Sequence, residues 1–232
     1  MSDESSDDDK QYEPSQKKLE DARAKGEVPK SVDLTTAAAY AGFIVAAIAI
    51  GTNSLVELGS VMQNLLGHAD EMARVTFAGS QGPLVGGVIQ NVVYRMAPWF
   101  VIPAACALLA VVAQGAFVVT PSKIAPKGSR ISPLQGFKNK FGRQGLFEFV
   151  KSTVKLVIYL FVLGLFLSAQ MDRMIGALYL SPGLIVVELG SLTIALMLIV
   201  FVVAVSLGAV DFLWQRSEHL RKHRMSRKEM VD

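Results

Sequence analysis

Four long stretches without a charged residue constrain most strongly what this chain can fold into. Residues 34–56, 96–122 and 189–210 contain no charged side chain, and residues 156–171 form a shorter run of the same kind. A helix that rises 1.5 Å per residue needs about 20 apolar residues to cross a hydrocarbon core about 30 Å thick. Lys155, at the edge of the shorter run, can extend its ammonium group to the interface. The pattern predicts an all-α integral membrane protein with four transmembrane helices.

The composition is that of a membrane protein, and the amino terminus indicates that the first apolar segment is a span and not a cleaved signal peptide. Only 19% of the residues are charged, against about 25% in a typical soluble domain. The chain opens with several acidic residues and its apolar segment begins only after Asp33, which is not the arrangement of a cleaved signal peptide. The one cysteine, Cys106, lies inside the second uncharged run. A single cysteine excludes an intramolecular disulfide and indicates a small apolar residue within a span.

Lysine and arginine alternate between rich and poor connections along the chain. Residues 1–33 contain six of them, residues 58–94 one, residues 120–155 eight, residues 172–182 one and residues 214–232 six. Positively charged connections remain in the cytoplasm of membrane proteins. The counts therefore predict that both termini and the basic central connection lie in the cytoplasm, with the other two connections on the outer side.

These signals predict a division of the chain into four segments. The segments are a disordered acidic leader (1–12), an amphipathic cytoplasmic segment (13–33), a four-span domain (34–213) and a basic cytoplasmic helix or linker (214–232). The leader is expected to be disordered because it is highly charged and poor in apolar residues. The spans are expected at about 34–56, 96–119, 152–171 and 183–210, forming two helical hairpins joined by the cytoplasmic loop 120–151. Ser31 before the first span, and Ser181 followed by Pro182 before the fourth, are typical helix starts.

Small residues recur at helical spacing inside two of the spans. They are Ala38, Gly42 and Ala46 in the first span, and Ala204 and Gly208 in the fourth. Such spacing lets helix backbones approach closely in lipid, where packing drives helix association. Packing between the chain's own helices is the preferred interpretation, and a docking face for other membrane proteins is the alternative.

Two carboxylates stand out because they lie within or beside apolar runs. Glu188 lies early in the fourth span and Asp211 near its cytoplasmic end. A carboxylate within a membrane is costly and by default suggests a functional role. A stand-alone small-solute transporter, however, normally places several such groups near the middle of the membrane on broken helices, and the middle portions of these spans contain none. Transport by this chain alone is therefore kept only as an alternative function.

The sequence offers no pattern of residues that would support catalysis. It contains no paired catalytic carboxylates, no Ser/His/Asp set, no glycine-rich phosphate loop and no HExxH motif. His219 and His223 have the i,i+4 spacing of metal ligands, but they lie among arginines and lysines that indicate a solvated helix. We therefore expect no catalytic residue, no metal and no cofactor, and the lack of paired catalytic residues argues against the alternative of an intramembrane protease.

The basic central connection contains a pattern of prolines and apolar residues in addition to its positive charge. Pro121, Pro126 and Pro133 interrupt it, and the pair formed by Ser132 and Pro133 is a typical helix start. Three apolar residues follow at helical spacing among basic residues, as in a short amphipathic surface helix: Leu134, Phe137 and Phe141. Orientation in the membrane and attraction to anionic phospholipid would explain the positive charge. They would not explain the prolines or the phenylalanine spacing, which favour a loop held against a protein surface.

Three blocks of the chain resemble one known family. They are "EPSQKKLEDARAKGEVPKSVDL" (13–34), "PSKIAPKGSRISPLQGFKNKFGRQGLFEFVKSTVK" (121–155) and "DFLWQRSEHLRKHRMSRKEMVD" (211–232). Their order and spacing are similar to those of the FlhB/SctU family, the export-apparatus switch proteins of flagellar and virulence type III secretion. The resemblance covers essentially the whole chain. The flagellar branch is the preferred interpretation, and a virulence (injectisome) homologue is the alternative.

The resemblance implies a function that the residues alone do not. The membrane part of this family binds an export gate made of other inner-membrane proteins, and its inter-span loop wraps the cytoplasmic entrance of that gate. The implied partners are thus the gate proteins, secreted flagellar substrates and anionic phospholipid. No nucleic acid is expected, because orientation explains the basic tail more simply. The expected gate-contact residues are Ile131, Leu134, Phe137, Lys138, Lys140, Phe141 and Arg143.

The resemblance also marks one departure from the family. A soluble carboxy-terminal domain of the family cleaves itself at an Asn-Pro-Thr-His motif and helps to switch the class of exported substrate. This sequence contains no Asn-Pro-Thr-His. Self-cleavage is therefore assigned to no residue of the chain, which is expected to act in the bacterial inner membrane without enzymatic activity.

Overall fold

A computed structural model describes residues 12–77, 79, 81–118, 120 and 143–226. This part of the chain forms six helices and no β-strand, although Tyr12 and Met225 make a single antiparallel bridge. In chain order the helices are α1 (Gln16–Ala24), α2 (Val32–Gly67), α3 (Ala69–Phe77), α4 (Gln81–Ala113), α5 (Arg143–Ala177) and α6 (Pro182–Lys222).

Four of these helices are long and apolar enough to cross a membrane. They are α2, the Gly86–Ala113 part of α4, the Glu148–Ala177 part of α5, and α6. The predicted all-α class with four transmembrane helices is therefore confirmed. Helices α2 and α6 extend well past the predicted spans because a charged residue ends an apolar run without ending a helix. Glu57, for example, lies inside α2, and Asp211 lies inside α6.

Helix α4 ends earlier than the apolar pattern indicated. Its last residue is Ala113, whereas the uncharged run had placed the end of the span at residue 119. Gly115 has a φ of +66°. The N–H of Gly115 donates to the Val112 carbonyl at 2.9 Å, and the N–H of Ala116 donates to the Val111 carbonyl at 3.1 Å. This pair of bonds around a left-handed glycine is a Schellman ending, which stops the helix whatever the hydropathy of the following residues.

The starts of the spans follow their capping residues. The Ser31 hydroxyl accepts a hydrogen bond from the N–H of Leu34 at 3.2 Å, as an N-cap should. Ser181 occupies the N-cap position of α6 with Pro182 in the first turn, but its side chain makes no capping bond. Proline at that position is still favourable because its fixed φ suits a helix and its missing donor is not needed there. Both predicted helix starts are thus at the expected residues.

Helix α2 is the central element of the bundle. It packs against α4 on one side and α6 on the other, and α5 packs against α6, so the helices lie in the order α4, α2, α6, α5. A Cβ at Gly42 would lie 2.6 Å from the Cα of Pro103 in α4, and one at Gly208 would lie 2.8 Å from the backbone nitrogen of Leu34. The small residues at these two positions therefore serve packing between the chain's own helices, which was the preferred interpretation.

Candidate functional site at one end of the bundle

The segments before α2 and after α6 leave the bundle at the same end, which we call the terminal end. The carboxy-terminal end of α4 and the start of α5 also lie there, because their side chains bond to residues at the start of α2 and near the end of α6. Six polar or charged residues make these connections and are called the polar junction: Ser31, Asp33, Gln114, Lys151, Lys155 and Asp211.

Asp211 is the buried carboxylate of the polar junction. Its side chain is only 5% exposed and forms an ion pair with the ammonium group of Lys151. It also accepts a hydrogen bond from the Ser31 hydroxyl, with 2.6 Å between the two oxygens. A charge removed from water is tolerated when it is paired and hydrogen-bonded. Asp211, which the sequence marked as an intramembrane polar residue, therefore joins α6 to α5 and to the start of α2.

Ser31 connects three helices through different atoms. Its hydroxyl donates to Asp211 and accepts from the α2 backbone. Its backbone N–H donates to Oε1 of Gln114, which follows α4, at 2.7 Å. Nε2 of Gln114 in turn donates to the hydroxyl of Thr35 at 3.2 Å. The end of α4 is thus attached to the start of α2 by two hydrogen bonds from one amide side chain.

Helix α5 carries a second cation one turn after the first. Lys151 and Lys155 lie four residues apart and therefore on one face of the helix. Lys155 forms an ion pair with Asp33 in the first turn of α2. The two lysines together attach the start of α5 to both α6 and α2.

The opposite end of the bundle holds ion pairs within each hairpin. Glu188, the other carboxylate that the sequence singled out, accepts from Nε of Arg173 at 2.9 Å and so joins α6 to α5. Arg95 of α4 pairs with Glu57 of α2. The Ser54 hydroxyl donates to the backbone carbonyl of Arg95 at 3.0 Å. These groups connect neighbouring helices, and Glu188 is accounted for by its arginine partner.

The amino-terminal segment lies against the chain that leaves α6. Tyr12 and Met225 exchange two backbone hydrogen bonds, of 3.2 and 2.9 Å. Nε2 of His223 lies 3.3 Å from a carboxylate oxygen of Glu27. The His219 and His223 rings are in contact, tilted by 45° with their centroids 4.4 Å apart. No group of three or more potential metal ligands occurs in the described part of the chain.

Most of the gate-contact residues expected from the sequence fall outside the described residues. Arg143 is the first residue of α5. The other six, which lie outside the described ranges, are Ile131, Leu134, Phe137, Lys138, Lys140 and Phe141. Since α4 ends at Ala113 and α5 begins at Arg143, the segment that contains them starts and finishes at the terminal end.

The polar junction itself was not predicted as a unit. Sequence analysis singled out Asp211, and it used Ser31 only as a helix cap. Signals for Lys151 and Lys155 were present in their spacing of one turn beside a span, but no pattern shows which acidic residue each would meet. Ser31 and Asp211 lie 180 positions apart, so only the packing of α2 against α6 brings them together.

Comparisons with known proteins bear on the whole chain. Residues 8–232 match the model of the "FlhB HrpN YscU SpaS Family". The hypersensitivity response secretion protein HrcU of Ralstonia nicotianae is 30% identical, over 96% of this chain and 62% of its own length. The flagellar biosynthetic protein FlhB of Escherichia coli is 28% identical, over 100% of this chain and 60% of its own length.

A third relative is named for the translocation of Yop proteins. The Yop proteins translocation protein U of Yersinia pestis is 25% identical over 96% of this chain and 62% of its own length. The chain therefore spans about three fifths of the length of these curated relatives. No solved structure shows a significant match. Because the family model covers almost every residue, the chain belongs to the FlhB, HrpN, YscU and SpaS family.

Proposed function

We propose that the chain is a membrane component of a bacterial type III protein export apparatus. It binds the export gate formed by other inner-membrane proteins and wraps the cytoplasmic entrance of that gate. In this role it supports the secretion of flagellar proteins and the switch between classes of substrate. Its contribution is binding and positioning, with no catalytic step in the residues present. Membership of the family supports this role, since relatives named for secretion, translocation and flagellar biosynthesis match across the chain.

The observation that carries the proposal is the arrangement of the two helices that flank the basic segment, α4 and α5. Helix α4 ends and helix α5 begins at the terminal end of the bundle, beside the start of α2 and the end of α6. A segment that leaves and returns at one end can lie across a partner's opening without crossing the membrane. Residues 121–142 contain five lysines and arginines and no acidic residue. Positively charged connections favour the cytoplasmic side.

The proposed topology follows from the same charges. Both termini and the polar junction lie in the cytoplasm, and the short connections between α2 and α4 and between α5 and α6 lie outside. The spans sit in the bacterial inner membrane. Anionic phospholipid then attracts those basic residues that do not touch protein, at about 1 kcal/mol per residue near the surface.

The gate contact combines apolar anchors with basic residues. Ile131, Leu134, Phe137 and Phe141 anchor the segment on the gate. Lys138, Lys140 and Arg143 meet acidic groups or phospholipid. Aromatic anchors dominate the binding energy of many interfaces, whereas exposed charges mainly guide encounter and orientation. Export should therefore depend on the phenylalanines more than on any single lysine.

The test is a paired replacement, Phe137→Asp with Phe141→Asp, in full-length protein expressed in cells that lack the native copy. We expect export to be lost, because carboxylates cannot occupy apolar pockets, while the amount of protein in the membrane is unchanged. Secreted hook and filament proteins in the medium measure export. The matched control is Phe77→Asp with Tyr179→Asp, two exposed aromatic residues at the other end of the bundle. Normal secretion from the first variant, or equal loss from the control, would contradict the proposal.

A virulence export system is the second candidate for the same role. The observation that favours it is the 30% identity to HrcU, which is slightly higher than the 28% identity to the FlhB of Escherichia coli. Deleting the gene separates the two candidates. Loss of flagellar filaments with intact effector secretion supports the flagellar role, and the reverse result supports the virulence role.

A further inference from the structure

We propose that the polar junction is a positioning device that fixes the end of α4 and the start of α5, the two ends of the chain that bracket the basic segment 121–142, through one shared pair, Ser31 and Asp211. This inference rests on the proposed function only for its effect on export. Its structural content, that one buried pair controls two chain segments, is tested separately below.

The first end of the segment is held through Gln114. This residue lies immediately after α4, and its amide bonds to the backbone N–H of Ser31 and to the hydroxyl of Thr35. The chain turns away from the helix axis at Gly115. Gln114 therefore attaches the chain to the start of α2 just before the chain turns away from α4.

The second end is held through Lys151. This lysine lies in the third turn of α5, and its ammonium group pairs with the buried carboxylate of Asp211. Lys155, one turn further on, pairs with Asp33 of α2. The start of α5 is thus prevented from rotating about its axis, because two cations on one face meet acidic groups on two different helices.

The two ends meet at a single hydrogen bond. The hydroxyl of Ser31 donates to Asp211 at 2.6 Å, and Ser31 as a whole is only 1% exposed. One member of this pair holds Gln114 and the other holds Lys151. Breaking the bond between the two members should therefore uncouple the two ends from each other, whereas loss of an ordinary ion pair between helices would affect only the helices that it joins.

The chain provides a matched ion pair for comparison. Arg173 and Glu188 join α5 to α6, as Lys151 and Asp211 do, but at the opposite end of the bundle, and within the described part of the chain they form no hydrogen bond or ion pair with α2 or α4. If the polar junction merely strengthened the contact of α5 with α6, removing either pair would have the same effect. If it positions the basic segment, only the Asp211 pair should matter for that segment.

The experiment measures the distance between the two ends of the segment directly. Spin labels replace Phe117 and Leu146, which are both more than half exposed, in the full-length protein with Cys106→Ala, reconstituted in lipid nanodiscs. We expect a narrow distance distribution for the parent protein. Asp211→Asn and Ser31→Ala should each lose the narrow distribution, and Glu188→Gln should retain it.

A milder variant guards against loss of folding. Gln114→Met removes the amide and leaves both ion pairs of α5 in place, so it should broaden the distribution without preventing insertion. The inference is overturned if the distribution stays narrow in Asp211→Asn and Gln114→Met, or if Glu188→Gln broadens it as much.

Export measured on the same variants separates the two proposals. Broadened distances with normal secretion would support the positioning device and contradict the role of the basic segment in export. Unchanged distances in Asp211→Asn, together with the loss of secretion in the Phe137 and Phe141 variant, would contradict the positioning device and support the export role.

Discussion

Glycine at two positions sets how closely α2 approaches its neighbours. Gly42 faces Pro103 of α4, and Gly208 faces the first turn of α2, at distances that leave no room for a side chain. In lipid, where the hydrophobic effect does not drive helices together, such close approach is a main source of association. These glycines thus contribute to stability because they have no side chain to keep the helices apart.

Gly208→Val should destabilise the protein by about 1–3 kcal/mol, the usual cost of forcing extra methyl groups into a packed contact. The branched side chain would meet the backbone of Leu34, which cannot move aside as the end of a flexible side chain can. The measurement is the free energy of unfolding in mixed micelles as a denaturing detergent is added.

Gly190→Val is the control for this change, because it lies in the same helix and a Cβ there meets nothing within 4 Å. Its stability should stay close to that of the parent protein. Equal destabilisation by the two variants would show that the cost comes from β-branching in α6 rather than from contact with α2.

At the scale of single residues, the sequence identified several important positions but not the residues that they contact. Gly42 and Gly208 were recognisable from their spacing, and Asp211 from its isolation in an apolar stretch. The partner of each was not recognisable. Asp211 meets Ser31 and Lys151 only after α2, α5 and α6 have packed. In the sequence alone Asp211 had no visible partner and therefore suggested a functional role, whereas in the folded structure its partners explain its position.

At the level of the elements, the existence of the spans was predictable and their ends were not. Hydrophobicity over about 20 residues is a strong signal for a span. The end of α4 depends instead on Gly115, whose positive φ allows the last carbonyls of the helix to be capped. A local backbone signal of this kind overrides the apolar residues that follow it.

Gly115→Ala should lower the stability of the protein by about 1 kcal/mol, because a Cβ is strained in the left-handed conformation. Since Gln114 immediately precedes this turn, the variant should also disturb the attachment of α4 to Ser31. Detergent-induced unfolding measures the loss, and backbone amide exchange in α4 reports whether its last turn opens.

The comparison for this prediction is Gly87→Ala, in the interior of the same helix, where nothing lies within 4 Å of a Cβ. Alanine favours the helix there, so stability should be equal to that of the parent or higher. A Gly115→Ala variant as stable as Gly87→Ala would mean that the Schellman ending contributes nothing measurable.

The whole molecule is two helical hairpins joined through the contact of α2 with α6. The pairing of neighbours in sequence was predictable because the alternation of lysine and arginine between connections gives successive spans opposite directions. The central position of α2 was not, since small residues occur in both α2 and α6 and do not show which helices they face. Only the packing reveals that polar contacts connect all four spans at the terminal end, whereas the ion pairs at the other end lie within each hairpin.

The central claim is that the basic segment lies on the cytoplasmic side, at the same end of the bundle as both termini. It is tested most directly by labelling single cysteines in intact cells with a membrane-impermeant maleimide, in protein carrying Cys106→Ala. Gln135→Cys, in the basic segment, should be labelled only after the cells are broken. Tyr179→Cys, exposed between α5 and α6, should be labelled in intact cells whose outer membrane has been made permeable. The reverse pattern would place the segment outside and contradict its proposed contact with the gate.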